Sequence, residues 1–299
     1  MKIRFSKYFP YLKIKFKSSP YLMYLFVSDY RFICKQYKKK FGYKLNLKDP
    51  KTFTEKINWK KIYDHNPLYT YCTDKFLVRN YVTEKIGPEY LIPLIQVVDR
   101  AKDVCFDKLP ESFIVKANHG CCWNKIVFDK NKLNDKDKAS IIKLCNCWLK
   151  KNYYIWGREH QYKYIKPKII VEKLLLDECG GLPEDYKFFC FNGNVEFFTV
   201  EIDRFENHTR KIFDKNWNEL NFSLGDLEIY KGQIERPINL DMMLKIVTKL
   251  SENFSFVRVD LYNVRNKIYF GELTFTPNNG HGKFYPSIYD FFYGQKLII

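Results

Sequence analysis

The stretch "RVDLYNVRNKIYFGELTF", residues 258–275, constrains the chain most. Two runs of β-branched and aromatic residues flank a short polar turn, and each run carries an acid at its centre. Strand side chains change face at every residue. Arg258, Asp260 and Tyr262 therefore share one face, and Val257, Val259 and Leu261 the other. In the second run Phe270, Glu272 and Thr274 share a face. A three-residue turn at Arg265, Asn266 and Lys267, with Asn266 left-handed, pairs Val264 with Ile268, Tyr262 with Phe270 and Asp260 with Glu272. Like charges directly opposite destabilise a hairpin. A divalent cation between them reverses the sign, because hard oxygen ligands suit Mg²⁺. From these residues alone two readings stay open: a metal-binding pair, or a solvated face neutralised by Lys267 and Arg258.

The rest of the chain is long enough for a real core. It has 299 residues, 46% hydrophobic and 18% aromatic, which excludes a disordered chain and fits one large or two ordinary domains. No run of about eighteen apolar residues occurs, so no membrane-spanning helix is expected. "YLMYLFV" (21–27) is short and lacks a small-residue cleavage site, so no signal peptide is expected either. The nine cysteines are odd in number, scattered and free of any C-x-x-C pair. That pattern argues against a zinc ribbon or a disulfide framework and suits reduced thiols in a cytoplasm. Cys121 and Cys122 lie near His119, but adjacent cysteines are poorly spaced for a metal.

The net charge of +17 is concentrated at the start: residues 1–50 hold thirteen Lys or Arg against Asp29 and Asp49. "MKIRFSKYFPYLKIKFK" mixes cations with aromatic and aliphatic residues. Such a segment suits the anionic inner leaflet of a membrane. A nucleic acid is the weaker partner, because no nucleic-acid motif accompanies the charge. A charged tail packed loosely on the body is the plain alternative.

Along the chain, helical and mostly antiparallel strand segments alternate in blocks, which predicts an α+β fold. Residues 49–64 form a helix with Thr54 as its cap, and 70–86 form a second, stopped by Gly87-Pro88. "YLIPLIQVV", "SFIVKAN" (112–118) and "KIVF" are strands, and 134–151 is a helix with an Asn/Asp start. "PKIIVEKLLL" (167–176) is a strand buried on both faces. "DYKFFCFNGNVEFFTVEI" is a hairpin turning at Asn192-Gly193, and 239–254 is an amphipathic helix. No repeat or low-complexity linker interrupts this order.

Three further features bear on the acidic hairpin. Lys116 interrupts an apolar strand just before a His-Gly loop, His119-Gly120. A lysine there needs water or an anion for its ammonium, and a polyphosphate under the loop supplies one. An edge-strand lysine reaching solvent is the competing reading. "VEKLL" (171–175) puts Glu172 and Lys173 at the end of a buried strand, where a purine edge can meet backbone groups and a ribose a carboxylate. Arg258 projects beside Asp260, the charge compensation that phosphoryl chemistry needs.

The order "DK…VKANHG…VEKLL…RVDLY…GELTF" resembles the ATP-grasp superfamily, and in particular its TupA-like (teichuronopeptide biosynthesis) branch. "TFTEKINWKKIYDHNPLY", "DKFLVRNYV", "NYYIWGREHQYKYIKPKIIVE", "DYKFFCFNG" and "DRFENHTR" carry the resemblance, which covers roughly residues 45–290. It implies two α+β subdomains with largely antiparallel sheets sandwiching ATP, plus a basic N-terminal helical segment. The corresponding division is a basic aromatic segment (1–44), a helical region (45–110), a small subdomain (111–175) and a large subdomain with the metal site (176–299). It implies ATP-dependent ligation of a carboxylate to an amine through an acyl phosphate. Lys75, with Arg79 as the alternative, and Lys116 then meet the phosphates, and His119 and Gly120 form the loop over them. Glu172, Lys173 and Leu175 hold the nucleoside. Asp260, Glu272 and Thr274 hold Mg²⁺, and Arg258 and Lys116 are catalytic. Two positions depart from the family pattern: the loop "HGCCWN" has one glycine and a bulky Trp123, and Thr274 stands where an Asn is usual.

Asp203, Arg204, His208 and Arg210 follow a strand and are candidates for the acceptor site; an ordinary charged loop is the competing reading. "GHGK" (280–283) forms a lip near the phosphates or a plain loop. Trp59 and Trp156 are packing residues. The branch implies a cell-surface or capsular polysaccharide precursor as substrate: a carboxylate-bearing saccharide, nucleotide- or lipid-linked, that is amidated at a uronic acid. The rivals are a glycosyltransferase and a sugar or lipid kinase. The only Asp-x-Asp triplet, Asp135-Lys136-Asp137, falls at a helix start where capping accounts for it.

Overall fold

The computed structural model describes residues 26–203 and 207–299. Most of the basic start, residues 1–25, and Arg204 lie outside the described residues. The described part of the basic segment contains helix α1 (Asp29–Phe41), capped by the Ser28 side chain and ended by left-handed Gly42 (φ 87°).

Helix α2 (Phe53–Tyr63) is capped by Thr52 and not, as expected, by Thr54. The Thr52 hydroxyl accepts from Glu55 N–H while the Glu55 carboxylate accepts from Thr52 N–H, which satisfies two orphan donors at once. Thr54 lies inside the helix and donates its hydroxyl to buried Asp290 at 2.7 Å. The helix expected over 70–86 is in fact two, α3 (Pro67–Thr73) and α4 (Val78–Ile86). Asp74 causes the break, since its Oδ1 accepts from the N–H groups of Phe76 and Leu77 at 2.8 and 3.3 Å, which competes with the helical ladder. The same oxygen accepts from Asn118 Nδ2 at 2.9 Å, which brings Lys75 against the His-Gly loop.

Strands β1 (Leu94–Val98), β2 (Phe113–Ala117), β3 (Asn124–Val127) and β4 (Ile169–Lys173) form a small antiparallel sheet in the order β1-β4-β2-β3. Its core is Phe113, Val115, Ala117, Ile169 and Val171 against Ile141, Cys145 and Trp148 of α5 (Asp135–Leu149). Asn134 and Asp137 make the capping box of α5, so the Asp-x-Asp triplet serves a helix start. Short α6 (Tyr154–Gly157) follows.

The large sheet contains β5 (Asp185–Phe191), β6 (Asn194–Ile202), β7 (Thr209–Phe213), β9 (Glu228–Ile229), β10 (Phe256–Val264) and β11 (Lys267–Thr274), in the order β11-β10-β5-β6-β7-β9. All its pairs are antiparallel except β7 with β9. A two-stranded ribbon joins β8 (Ser223–Leu224) to β12 (Phe284–Tyr285). One face of the large sheet, with Phe188, Phe198, Val257 and Val259, packs on α4 and on α7 (Leu240–Ser251). The other face is divided along its strands. Phe189, Phe191, Phe197 and Phe256 pack on α2 and on the C-terminal helix α8 (Ile288–Lys296), which sequence reading did not anticipate. Further along the same strands, at the same alternation, come Asp185, Lys187, Arg258, Asp260 and Glu201.

The acidic hairpin reaches its expected pairing by a different route. Its turn has two residues, Arg265 and Asn266, both left-handed (φ 51° and 60°), so Val264 pairs with Lys267 and Tyr262 with Tyr269. Left alone, that register would put Glu272 on the apolar face beside Phe270. A bulge at Gly271 restores the pairing of Asp260 with Glu272 and turns Glu272 and Thr274 to the ionic face, while Phe270 points into the core. Phe270 and Glu272 thus do not share a face. A Cβ on Gly271 would lie 3.0 Å from the Asp260 carbonyl oxygen, a close approach that favours glycine here.

Candidate nucleotide and metal site

The two sheets face each other across a cleft of about 630 Å³. The small-sheet wall carries cations. In β2 the alternation buries Phe113, Val115 and Ala117 in the core and turns Ile114 and Lys116 to the cleft. Lys116 Nζ donates to Glu172 Oε2 at 2.7 Å, and Arg79 Nη1 from α4 donates to Glu172 Oε1 at 3.0 Å. Glu172 is buried, so both its oxygens are engaged and it acts as counter-ion to two cations. Lys173 and Leu175 also line the cleft, Lys173 donating its backbone N–H to the Pro93 carbonyl.

Lys75 Nζ donates to the Gly120 carbonyl at 3.1 Å and lies 3.8 Å from Glu272 Oε2, so it stands between the walls. Gly120 is packed under Trp123, whose ring would lie 2.5 Å from any Cβ there. His119 is buried, its ring nitrogens 3.0 Å from Asn118 Oδ1 and 3.1 Å from the Trp148 carbonyl oxygen. Burial pushes its pKa down. The ring thus anchors the start of the loop to α5 and does not itself line the cleft. Cys121 and Cys122 line the cleft with their sulfurs 3.6 Å apart, and no disulfide forms among the described residues.

The large-sheet wall carries the acids. Arg258 donates through Nε to Asp260 Oδ1 at 2.6 Å and through Nη2 to Asp260 Oδ2, Glu272 Oε1 and Thr274 Oγ1 at 2.7, 3.0 and 3.0 Å. Lys187 Nζ adds a second cation, 2.6 Å from Asp185, 3.1 Å from Asp260 and 3.7 Å from Glu201. Burial, opposed by Arg258 and Lys187, raises Asp260 to about 6. Burial also acts on Glu272, but Lys75, Arg258 and Lys187 outweigh it and hold that carboxyl down to about 2. Glu272 is therefore ionised at neutral pH, and Asp260 titrates just below it.

The donor set tests whether a divalent cation fits. Two carboxylates and a hydroxyl, Asp260, Glu272 and Thr274, converge on one face, which suits a hard ion. Arg258 already neutralises Asp260, whereas Glu272 keeps Oε2 outside the Arg258 contacts. Among the described residues no group of three His, Cys, Asp or Glu side chains converges on a metal position, so any ion here needs further oxygens from a ligand. With that addition the residues fit.

Of the acceptor candidates, Asp203 is left-handed (φ 50°) and lines the cleft. His208 Nε2 and Arg210 Nη2 each lie 3.0 Å from a Glu201 oxygen, next to Lys187. Lys187, Asp185 and Glu201 were not singled out from sequence. Their signal was the alternation Asp185, Lys187, Phe189, Phe191 within "DYKFFCF". Of the "GHGK" lip, Gly280 packs against Asn58, so this segment is bound to α2.

A family model described as TupA-like ATPgrasp matches residues 55–298. The chain belongs to the TupA-like ATP-grasp family. Its α+β fold with two largely antiparallel sheets is that of the ATP-grasp proteins. Among solved structures, D-alanine–D-alanine ligase from Bacillus anthracis is similar at 17% identity over 68% of this chain and 57% of its own, with a TM-score of 0.42. The ADP complex of purK, N5-carboxyaminoimidazole ribonucleotide synthetase, is similar at 12% identity over 70% of this chain and 46% of its own, with a TM-score of 0.43. The ATP-grasp ligase PsnB, complexed with a phosphomimetic variant of its minimal precursor, Mg and ADP, is similar at 12% identity over 74% of this chain and 57% of its own, with a TM-score of 0.39. The TupA-like chain thus spans less than two thirds of the length of each. None of the curated proteins matches it. No helix among the described residues is long and apolar enough to cross a membrane.

Proposed function

We propose that this chain is an ATP-dependent carboxylate–amine ligase that works through an acyl phosphate on a saccharide carboxylate, amidating a uronic acid of a cell-surface polysaccharide precursor. The observation that carries the reading is the charge pattern of the cleft: Lys116 and Arg79 gathered at Glu172, Lys75 between the walls, and Asp260 and Glu272 on the large sheet. A metal–polyphosphate needs both, cations for its outer oxygens and carboxylates for its ion.

In this reading Lys116 and Arg79 exchange Glu172 for phosphate oxygens, and Glu172 is their counter-ion in the resting protein, in place of a ribose contact. Lys75 turns from Gly120 and Glu272 to the same phosphates, under the loop that His119 anchors. Lys173 and Leu175 meet the nucleoside. Asp260 and Glu272, with Thr274 beside them, would hold Mg²⁺, which when bound neutralises charge at the transferring phosphoryl group. Arg258 stays beside Asp260 and stabilises the acyl phosphate. Asp203, His208 and Arg210 border the acceptor, and Arg204 belongs to the same stretch. The saccharide class, the cytoplasmic setting and the amine rest on the family resemblance.

Hydroxylamine trapping tests it. The protein, ATP, Mg²⁺ and a panel of uronic-acid sugars, free and nucleotide-linked, are incubated with hydroxylamine. Donor-dependent ADP release with formation of the sugar hydroxamate supports the ligase. A phosphorylated sugar stable to hydroxylamine identifies a kinase instead, and turnover of a nucleotide sugar without ATP consumption returns the chain to glycosyl transfer.

A further inference from the structure

The strand that carries Glu272 and Thr274 runs directly into a strained turn. Leu273 and Phe275 point into the core, so the alternation places Glu272, Thr274 and Thr276 in one row on the other side. Asn278, Asn279 and Gly280 follow, all left-handed (φ 50°, 56° and 72°). L-residues visit that region singly, so such a run persists only where its neighbours hold it.

Two buried charged side chains hold this segment, one at each end. Thr276 Oγ1 donates to Glu159 Oε1 at 2.5 Å and accepts from Gln161 Nε2 at 2.7 Å, so both roles of the hydroxyl are filled. Lys61 of α2 donates to Asn279 Oδ1 at 2.6 Å and to the Asn279 carbonyl at 3.2 Å. Asn58 Nδ2 donates to the Gly280 carbonyl at 2.8 Å. Gly157 lets the two ends come together: a Cβ there would lie 2.8 Å from Glu159 Oε2 and 2.9 Å from Asn279 Oδ1.

Glu159 and Lys61 are 6% and 4% exposed. Among the described residues neither has an opposite charge within 4.0 Å, and they act on each other only at longer range. Burial accordingly pushes the Glu159 carboxyl up and the Lys61 ammonium down to about 8. Neutral side chains would hold a turn at a smaller desolvation cost, so packing alone does not account for this pair. A carboxylate does bind a hydroxyl more tightly than a neutral acceptor. The Glu272 charge is also among those acting on Glu159, which puts this carboxylate within electrostatic range of the acidic end of the cleft.

We propose that Glu159 is a positioning residue for the metal site: through Thr276 it fixes the end of β11 that presents Glu272 and Thr274, while Lys61 holds the turn that follows. This role rests on the nucleotide and metal reading above, and Glu159 acts in it only through Thr276.

The full chain is titrated with ATP over a series of Mg²⁺ concentrations by calorimetry, as the parent and as Thr276→Val, Glu159→Leu, Thr276→Ser and Glu159→Gln. Thr276→Val keeps the shape of the side chain and removes the hydroxyl, so it decides should Glu159→Leu fail to fold. The half-saturating Mg²⁺ concentration is expected to rise about tenfold or more in Thr276→Val and Glu159→Leu, with ATP binding in the absence of Mg²⁺ unchanged. Thr276→Ser and Glu159→Gln keep a hydrogen bond at this point and should fall closer to the parent. A parent-like Mg²⁺ requirement in Thr276→Val overturns the positioning role alone. An equal loss of ATP affinity with and without Mg²⁺ overturns it too, because general destabilisation would then account for the effect. Parent protein that binds ATP without regard to Mg²⁺ overturns the metal reading, and the positioning role with it.

Discussion

Replacing Lys187 by Met tests how the ionic half of the large sheet is held. Lys187 is buried and is the shared cation of Asp185, Asp260 and Glu201. Met retains most of the stem's packing and removes the charge, so the change isolates the electrostatic contribution. Removing one partner of a buried ion pair costs about 3–5 kcal/mol, because the remaining charges stay desolvated and uncompensated. Arg258 and Arg210 still face Asp260 and Glu201, which argues for the lower part of that range. For a chain of this size the midpoint of thermal unfolding should fall by roughly 5–8 °C.

The pH dependence has a definite sign. Burial tends to raise Glu201, but Lys187, His208 and Arg210 hold its carboxyl well below the usual range. Asp260 is already raised to about 6 by burial, with Lys187 among the groups opposing the rise. Without Lys187 both carboxyls move up. A carboxyl raised in the folded state destabilises above its folded pKa, and that penalty disappears once pH falls below the unfolded value. The difference between parent and variant is therefore largest near pH 8 and shrinks toward pH 5. Urea unfolding at both pH values measures it. A loss under about 1 kcal/mol, or one independent of pH, would refute the assignment of Lys187 as the common counter-ion.

Three other outcomes follow from the same geometry. Gly271→Val, which forces a Cβ toward the Asp260 carbonyl, should destabilise the chain by about 1–3 kcal/mol and weaken Mg²⁺-dependent ATP binding more than Mg²⁺-independent binding; equal effects on both would show that the bulge does not set Glu272. ATP affinity in the presence of Mg²⁺ should drop as pH falls through about 6, where Asp260 takes up its proton, and Asp260→Asn should abolish that pH step in titrations across pH 5–8. Cys122, exposed on the cleft, should be alkylated in the free protein and protected by ATP, as read by mass spectrometry of the 119–124 peptide; equal labelling with and without ATP would place the nucleotide elsewhere.

Much of this was legible in the chain itself. Strand positions, the Asn192-Gly193 turn and the family motifs follow from alternation, turn residues and their order; the pairing of Asp260 with Glu272 was expected from a three-residue turn that the structure does not have. The α5 capping box was readable too, and explains Asp135-Lys136-Asp137 without a catalytic role. Bulges were not legible. The Gly271 bulge converts a two-residue turn into the register that a three-residue turn would have given, and it reverses which side chains share a face with Glu272. A second bulge, between Phe189 and Cys190, brings Asp185 opposite Glu201 and Lys187 opposite Thr199, so the ionic cluster around Lys187 cannot be counted from the Asn192-Gly193 turn. The split of α3 from α4 was hidden for a related reason. Asp74 breaks the ladder partly because Asn118, 44 residues away, holds its carboxylate, and local propensity carries no trace of that partner.

The most direct test of the account is calorimetric titration of ATP into the full chain with and without Mg²⁺, repeated on Glu272→Gln and on Lys116→Met. Micromolar binding that needs Mg²⁺, loses that need together with most of its affinity in Glu272→Gln, and weakens about tenfold or more in Lys116→Met is the predicted result. ATP binding that is indifferent to Mg²⁺ and to both substitutions, or no ATP binding alongside binding of a UDP-sugar, would contradict it.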